Sequence, residues 1–233
     1  EGADAVAPAL ETTERVGNYT QISDKVVQVS TTDDAVDTAG RSTETAYQLS
    51  KASAELKRDM ESILLSDQEK NPGATATPRK LGALGSWVTT NQVDTAGGAL
   101  TEDMLKSAVL KAYTAGGEPS MLLVSPANKQ VVSTFSGIAQ QRYEAPKSSA
   151  TTIIGAADVY LSDFGTLSVV PDRFLSDEAS YVLDPSMFAV SYLRPFKQTK
   201  LAKTGDSDKY MLNVEYTLQS NQEAASAVMR DLT

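Results

Sequence analysis

The sequence predicts an α+β fold, and three features predict it. Residues 38–66 carry a helical repeat of small and apolar side chains. Residues 101–117 form a second, capped helical stretch. From residue 157 onward, short runs of β-branched and aromatic residues alternate with turn signals. At 233 residues the chain can bury the core of one large domain or two small ones.

Residues 1–14 are Ala, Glu and Thr without periodicity, and read as a mobile or partner-ordered end. Residues 15–30 alternate at Tyr19, Ile22, Val27 and Val29, which fits a strand or two. Such a strand needs a partner, and none is evident upstream. Asp37 or Thr38 can cap the next helix, where Ser42, Ala46, Leu49, Ser53, Leu56, Met60 and Ile63 recur at steps of four and three. They set a narrow stripe along a helix of about 40 Å at ~1.5 Å per residue. Lys51 with Glu55, and Lys57 with Glu61, are i,i+4 pairs on its wet face. The stripe holds too much Ser and Ala for a coiled coil, so packing on a sheet is expected.

Residues 67–80 read as a loop, Leu81–Val88 holds the single Trp87, and 89–100 reads as a second polar loop ending in Gly97-Gly98. Thr101 caps a helix that turns Met104, Leu105, Ala108, Val109 and Ala112 to one side and stops at Gly116-Gly117. Ser120–Val124 is a buried strand, and Pro126 opens a helix through about Ser133 with Val131 and Val132 inward. Residues 139–150, with Arg142, Glu144 and Lys147 around Pro146, read as an exposed loop. Ala157–Leu161 and Thr166–Val170 flank a hairpin turn at Ser162-Asp163-Phe164-Gly165. Tyr181–Leu183 and Met187–Leu193 flank Asp184-Pro185-Ser186. Residues 194–202 and 209–219 are two alternating runs, and 222–232 ends in a further strand.

Composition narrows the chemistry. The chain has no His and no Cys, which excludes histidine triads, proximal-His haem and every thiolate-ligated metal site. Its net charge of −9 is the wrong sign for the basic footprint of a nucleic-acid binder. No apolar run approaches the roughly 20 residues of a membrane-crossing helix. The acidic start does not read as a signal peptide. Because it opens on Glu1 rather than Met, the chain is expected to be a processed product or a fragment.

Motif matches resolve into turns. Asp163-Phe164-Gly165 spells a kinase magnesium motif, but a chain without His cannot supply the kinase catalytic loop. Lys203-Thr204-Gly205 spells a β-lactamase element whose nucleophile motif, Ser-x-x-Lys, is missing. Asp206-Ser207-Asp208 starts a calcium loop that does not continue. Asp158, Asp163, Asp172, Asp177, Glu178 and Asp184 could supply a carboxylate pair for hydrolysis. They stand at strand ends and turns, where Asp is expected anyway. Asn18-Tyr19-Thr20 fits a glycosylation pattern, but nothing points to secretion. The basic pairs Lys57-Arg58 and Arg79-Lys80 read as solvated faces. No catalytic, cofactor-binding or metal-ligating residue is assigned, and no cofactor is expected.

The order of segments says more than any motif. Residues 15–30, 46–66, 115–138, 156–174, 183–196 and 201–219 resemble successive blocks of tailed-bacteriophage major capsid proteins. The resemblance is strongest at Gly17–Ile22, Glu55–Asp59, Leu193-Arg194-Pro195-Phe196 and Ala202–Asp206. It implies the Hong Kong 97-type capsid fold, with a long spine helix, a peripheral-domain sheet, an axial domain and an extended β loop. Mapped onto this chain, residues 1–30 are a remnant of the N-terminal region and extended loop. Residues 31–100 and 195–221 form the peripheral domain with spine helix 39–66, and 101–194 with 222–233 the axial domain. The family's N-terminal arm and outgoing loop strand have no counterpart here, so the chain is expected to be N-terminally truncated, with half of the extended loop, an unpaired strand at 15–30 and poor assembly.

The resemblance implies a structural subunit of an icosahedral phage head, not an enzyme. It would self-assemble into hexamers and pentamers enclosing double-stranded DNA, as part of the virion shell built in the host cytoplasm. Scaffold, portal or decoration proteins are possible partners; sequence-specific nucleic acid and membrane are not. Two other readings stay open: a cellular nanocompartment subunit of the same fold that encloses cargo, and, remotely, an Asp-dependent hydrolase.

Overall fold

The computed structural model describes residues 13–36, 40, 43–135 and 159–233. Strand β1 (Gln21–Ser30) leads through a short helix α1 (Thr31–Ala35) to the long helix α2 (Glu44–Leu64). Helix α3 (Leu84–Trp87), strand β2 (Gln92–Gly98), helix α4 (Glu102–Thr114), strand β3 (Met121–Val124) and helix α5 (Pro126–Val132) follow. The remainder is β4 (Val159–Ser162), β5 (Gly165–Pro171), β6 (Ser180–Leu183), β7 (Phe188–Lys200), β8 (Ser207–Ser220) and β9 (Ala227–Leu232). Among the described residues the strands form two sheets, a three-stranded one ordered β1-β8-β7 and a six-stranded one ordered β2-β9-β6-β3-β5-β4.

The six-stranded sheet is buried on both faces, because its central strands β3 and β6 are apolar at all but Ser180 and β alternation sends neighbours opposite ways. Leu122, Val124, Val182 and Met229 pack under α4 with Leu105, Ala108, Val109 and Ala112. Leu123, Tyr181, Leu183 and Val228 point the other way, onto Leu84, Val88, Leu175 and Leu218. Helix α4 starts where Thr101 accepts from the Met104 amide. It ends in a Schellman motif, with the Gly116 amide donating to Tyr113 and that of Gly117 to Ala112. Gly116 has φ +86, and a Cβ on Gly117 would lie 2.3 Å from the Ala225 carbonyl oxygen. The Gly-Gly stop read from the sequence thus combines a backbone requirement with a packing one.

The three-stranded sheet is covered on one face. Leu56 and Met60 of α2 pack on Val214 and Tyr216 of β8, together with Leu81 and Ala83. Helix-on-sheet packing was the expected role of the long stripe; its buried members are Leu56 and Met60, and Ala52, one position before the stripe's Ser53, is buried with them. Ala46 lies exposed, so the stripe is shorter than its spacing suggests.

Five expectations need correction. The helix begins at Glu44, capped by Thr43 accepting from the Ala46 amide, so at ~1.5 Å per residue it is roughly 30 Å long. Residues 15–30 do not lack a partner: β1 pairs antiparallel with β8 from Gln21↔Tyr216 to Ser30↔Ser207. That partner lies far along the chain, where a local reading does not look. Residues 89–100 contain a strand: polar β2 lies parallel to the buried β9 at the sheet edge, with Gln92 beside Val228 and Asp94 beside Arg230. Residues 187–202 hold one long strand where two runs were expected. β7 absorbs Pro195 at register shifts between Tyr192 and Lys197, which an edge strand tolerates because the missing amide need not serve a ladder. Last, Glu55 is held across the sheet by Lys25 at 3.3 Å, where a pair along the helix with Lys51 was expected.

The expected loop at 139–150, Asp158, residues 1–12 and the Asp37/Thr38 cap lie outside the described residues.

Candidate assembly surface

Dispersed placement is the first result for the residues singled out by motif. Asp163-Phe164-Gly165 forms the β4–β5 hairpin turn, where the Ser162 hydroxyl accepts from the Phe164 amide at 3.3 Å and donates to the Gly165 carbonyl at 2.7 Å. Lys203-Thr204-Gly205 lies in the β7–β8 turn, where Lys203 reaches Asp208 at 3.3 Å and Lys200 reaches it at 3.2 Å. The two ammonium groups occupy the carboxylate that the calcium reading needed. Asp184 is buried, accepting from the Ser186 amide at 3.0 Å and the Ser186 hydroxyl at 2.6 Å, which makes it a turn cap. Asp172 faces Glu61 of α2, and burial together with the hydrogen bond between them pushes the Glu61 carboxyl above its ordinary value. Among the described residues, no group of three or more acidic side chains gathers into a metal-binding cluster. No described helix is long and apolar enough to cross a membrane.

Sequence reasoning missed a charged cluster on the uncovered face of the three-stranded sheet. Glu215 of β8 is buried there. It accepts from Thr20 Oγ1 at 2.7 Å and from Arg194 Nε of β7 at 2.7 Å, and pairs with Arg79. Arg79 also donates to the Thr20 carbonyl at 2.7 Å. So Arg79, expected on a solvated face, ties the 67–80 loop to the sheet. The hydrogen bonds from Thr20 and Arg194, with both guanidinium groups near, hold the Glu215 carboxyl below its ordinary value. Position 215 reads from the sequence as one polar residue in an alternating run, which carries no sign that three segments converge on it.

Strand β7 provides the larger surface. It is an edge strand, and among the described residues nothing pairs with its outer side. Val190, Tyr192, Leu193 and Phe196 are exposed, Leu193 at 65%. Where α2 stops covering the sheet, a groove of about 580 Å³ opens between Met60 and Leu64 of α2, Phe188, Tyr192 and Phe196 of β7, and the six-stranded sheet at Leu123. Long, apolar and open edges invite pairing with another chain, and soluble monomers blunt them. This one carries Arg194, Lys197 and Lys200 in residues 185–205, which contain no acid although the chain is acidic overall. That acid-free run is the sequence signal for the edge. A second exposed apolar spot pairs Tyr113 of α4 with Phe164 of the hairpin turn, ring centroids 4.9 Å apart.

Among the described residues the structure thus offers an open strand edge and an apolar groove, with no cluster of acidic side chains for a metal. The family model described as SU10 major capsid protein matches residues 1–233. The major capsid protein of Escherichia phage Phieco32 is 27% identical over 282 aligned positions, covering 98% of this chain and 79% of that one. Among solved structures, the cyanophage A-1(L) capsid gives a TM-score of 0.70 at 14% identity, covering 91% of this chain and 77% of that one. The SrpI encapsulin of Synechococcus elongatus gives 0.64 at 16% identity, covering 91% and 74%. At such identities the structures speak for the fold, which is the Hong Kong 97-type fold shared by phage capsids and encapsulins. The family match decides between those two uses of it, and the chain belongs to the SU10 major capsid protein family.

Proposed function

We propose that this chain is the repeating structural subunit of an icosahedral phage head, assembling into hexamers and pentamers around double-stranded DNA. The observation that carries this reading is the exposed β7 edge with the apolar groove behind it, in a chain of a capsid-protein family. Strength in such a shell is collective. Each contact is ordinary, and standard interfaces bury roughly 1,600 Å², but every subunit makes several. The net charge of −9 suits a lining that must not hold DNA tightly during loading. Assembly in the host cytoplasm, with scaffold, portal or decoration proteins joining the shell, belongs to the same proposal.

The proposed division has two parts drawn by sheet membership. The peripheral part is the three-stranded sheet with α2; the axial part is the six-stranded sheet with α4 and α5. Relative to boundaries at 100/101 and 194/195, this moves β2 to the axial part and the first half of β7 to the peripheral part. Residues before β1 remain the N-terminal element of the subunit.

Light scattering combined with negative-stain electron microscopy tests the function. The expected result is capsomer rings or closed shells far above the 24.8 kDa of one chain, formed at high concentration in keeping with the poor assembly expected from the sequence. A monodisperse monomer at high concentration, with turnover in a hydrolase screen that Asp163→Asn abolishes, would favour the enzyme reading instead.

A further inference from the structure

We propose that copies of this chain join edge to edge, the middle of one β1 (Asp24–Val27) lying parallel against the outer edge of its neighbour's β7 over Lys197–Lys200. This rests on the self-assembly reading above and names the surface that performs it.

The argument begins with register. β1 and β7 both pair antiparallel with β8, so they run in the same direction at opposite edges of one sheet. Directly opposed residues share a face, which sets up rows across the sheet. One row reads Asp24–Asn213–Lys197, and its neighbours read Ile22–Glu215–Arg194 and Val26–Met211–Thr199. Val214 and Tyr216 face α2, so all three rows lie on the uncovered face. If the sheet continues in step into the next copy, Lys197 meets the neighbour's Asp24.

Charge supports the same occupant. Of the four bases in residues 185–205, Arg194 is paired with Glu215 and Lys200 and Lys203 with Asp208, so among the described residues Lys197 is the base of the β7 edge that meets no acid of its own chain. On the opposite edge Asp24 is exposed, and the helix α1 that follows the strand adds Asp33 and Asp34. The one lysine of β1, Lys25, turns inward to Glu55 and Asp59. Exposed apolar side chains stand beside the charged row, Ile22 and Val26 on one edge and Leu193 on the other, while Phe196 lies on the groove side of β7. Just before the strand, Arg79 donates to the Thr20 carbonyl, so the approach to the β1 edge is occupied there and the joint is placed from Asp24 onward. The two surfaces are different patches on opposite sides of the sheet, so the contact is head-to-tail. Such contacts propagate around rings, whereas a two-fold contact uses itself up in a dimer.

Single-cysteine chains test the joint, since the sequence contains no cysteine of its own. Asp24→Cys and Lys197→Cys variants are mixed as dispersed chains, assembled together and then oxidised. Within one chain the two positions stand two strand spacings apart, about 10 Å, too far for an internal disulfide. The expected result is a disulfide dimer in the mixture at several times the yield of either variant alone. A strong dimer from Lys197→Cys alone would mean a two-fold β7–β7 contact and would overturn the proposal. Charge reversal provides the second arm. Lys197→Glu and Asp24→Lys should each raise the concentration needed for assembly several-fold, and the two together in one chain should restore it. Large particles from the unsubstituted chain without the mixed dimer would overturn the edge joint and leave the shell reading standing. A chain that stays at 24.8 kDa and gives no mixed dimer would overturn both.

Discussion

The two sheets of this molecule solve the same packing problem to different degrees. In the six-stranded sheet, β3 and β6 have apolar neighbours above and below, and Leu122, Val124, Val182 and Met229 are fully buried. In the three-stranded sheet only the α2 side is covered, and β7 is exposed along most of its length. One region is finished by its own chain; the other presents an open edge, an apolar groove and a face held by a charged cluster. The difference separates what folds the subunit from what joins it to others. Substitutions in the first region should act on stability, and substitutions in the second on association.

The largest effect is expected at the centre of the finished region. Leu122→Ala removes a fully buried side chain beneath α4 and should cost about 2–5 kcal/mol in denaturant unfolding. Next is Gly117→Ala, which drives a methyl into the Ala225 backbone and should cost about 1–3 kcal/mol by the same measurement. A neutral Gly117→Ala would break the claim that α4 and the segment before β9 are locked by backbone contact.

The charged cluster yields a smaller effect with a sign. Because Glu215 is held below its ordinary carboxylate value, the folded chain binds its proton less readily than the unfolded chain does. Its contribution is therefore complete above the unfolded value and is lost as pH falls through the folded one. Glu61 has the opposite sign: burial and Asp172 raise it, so its contribution is present below the unfolded value and is lost as pH rises through the folded one. Glu215→Gln should cost about 1–2 kcal/mol at neutral pH, discounted because Arg79 and Arg194 remain half-exposed, and should flatten the acid limb of a stability–pH curve. Glu61→Gln should leave the acid limb alone and flatten the rise-side loss. An acid limb unchanged in Glu215→Gln would remove the cluster from the account.

How far the fold could be read from the sequence follows the same divide. Helix α4 was legible to the residue, because Thr101 and Gly116-Gly117 act locally through caps that any helix obeys. The β4–β5 hairpin was legible for the same reason. What was not legible depended on distant partners. β1 found its partner at β8, nearly two hundred positions away, and β2 is a strand only because β9 lies beside it. The Glu215 cluster joins Thr20, Arg79 and Arg194 across three segments, and no local pattern marks it. The assembly edge left one trace, the acid-free run 185–205, whose meaning emerged only once β7 was known to be an outer strand.

The smallest stability effect should belong to the open edge. Phe196→Ser and Leu193→Ser change exposed side chains and should move unfolding by less than about 0.5 kcal/mol. They should nevertheless weaken self-association clearly in sedimentation velocity. Loss of stability without loss of association would reverse the roles assigned to the two regions.

The most direct test is amide hydrogen exchange of β7, compared between dispersed chain and assembled particles. The account predicts that amides along Lys197–Lys200 exchange quickly in the dispersed chain and are strongly protected after assembly, while those of β3 and β6 are protected in both. Equal exchange of β7 before and after assembly would contradict it, because the edge would then remain bare in the shell.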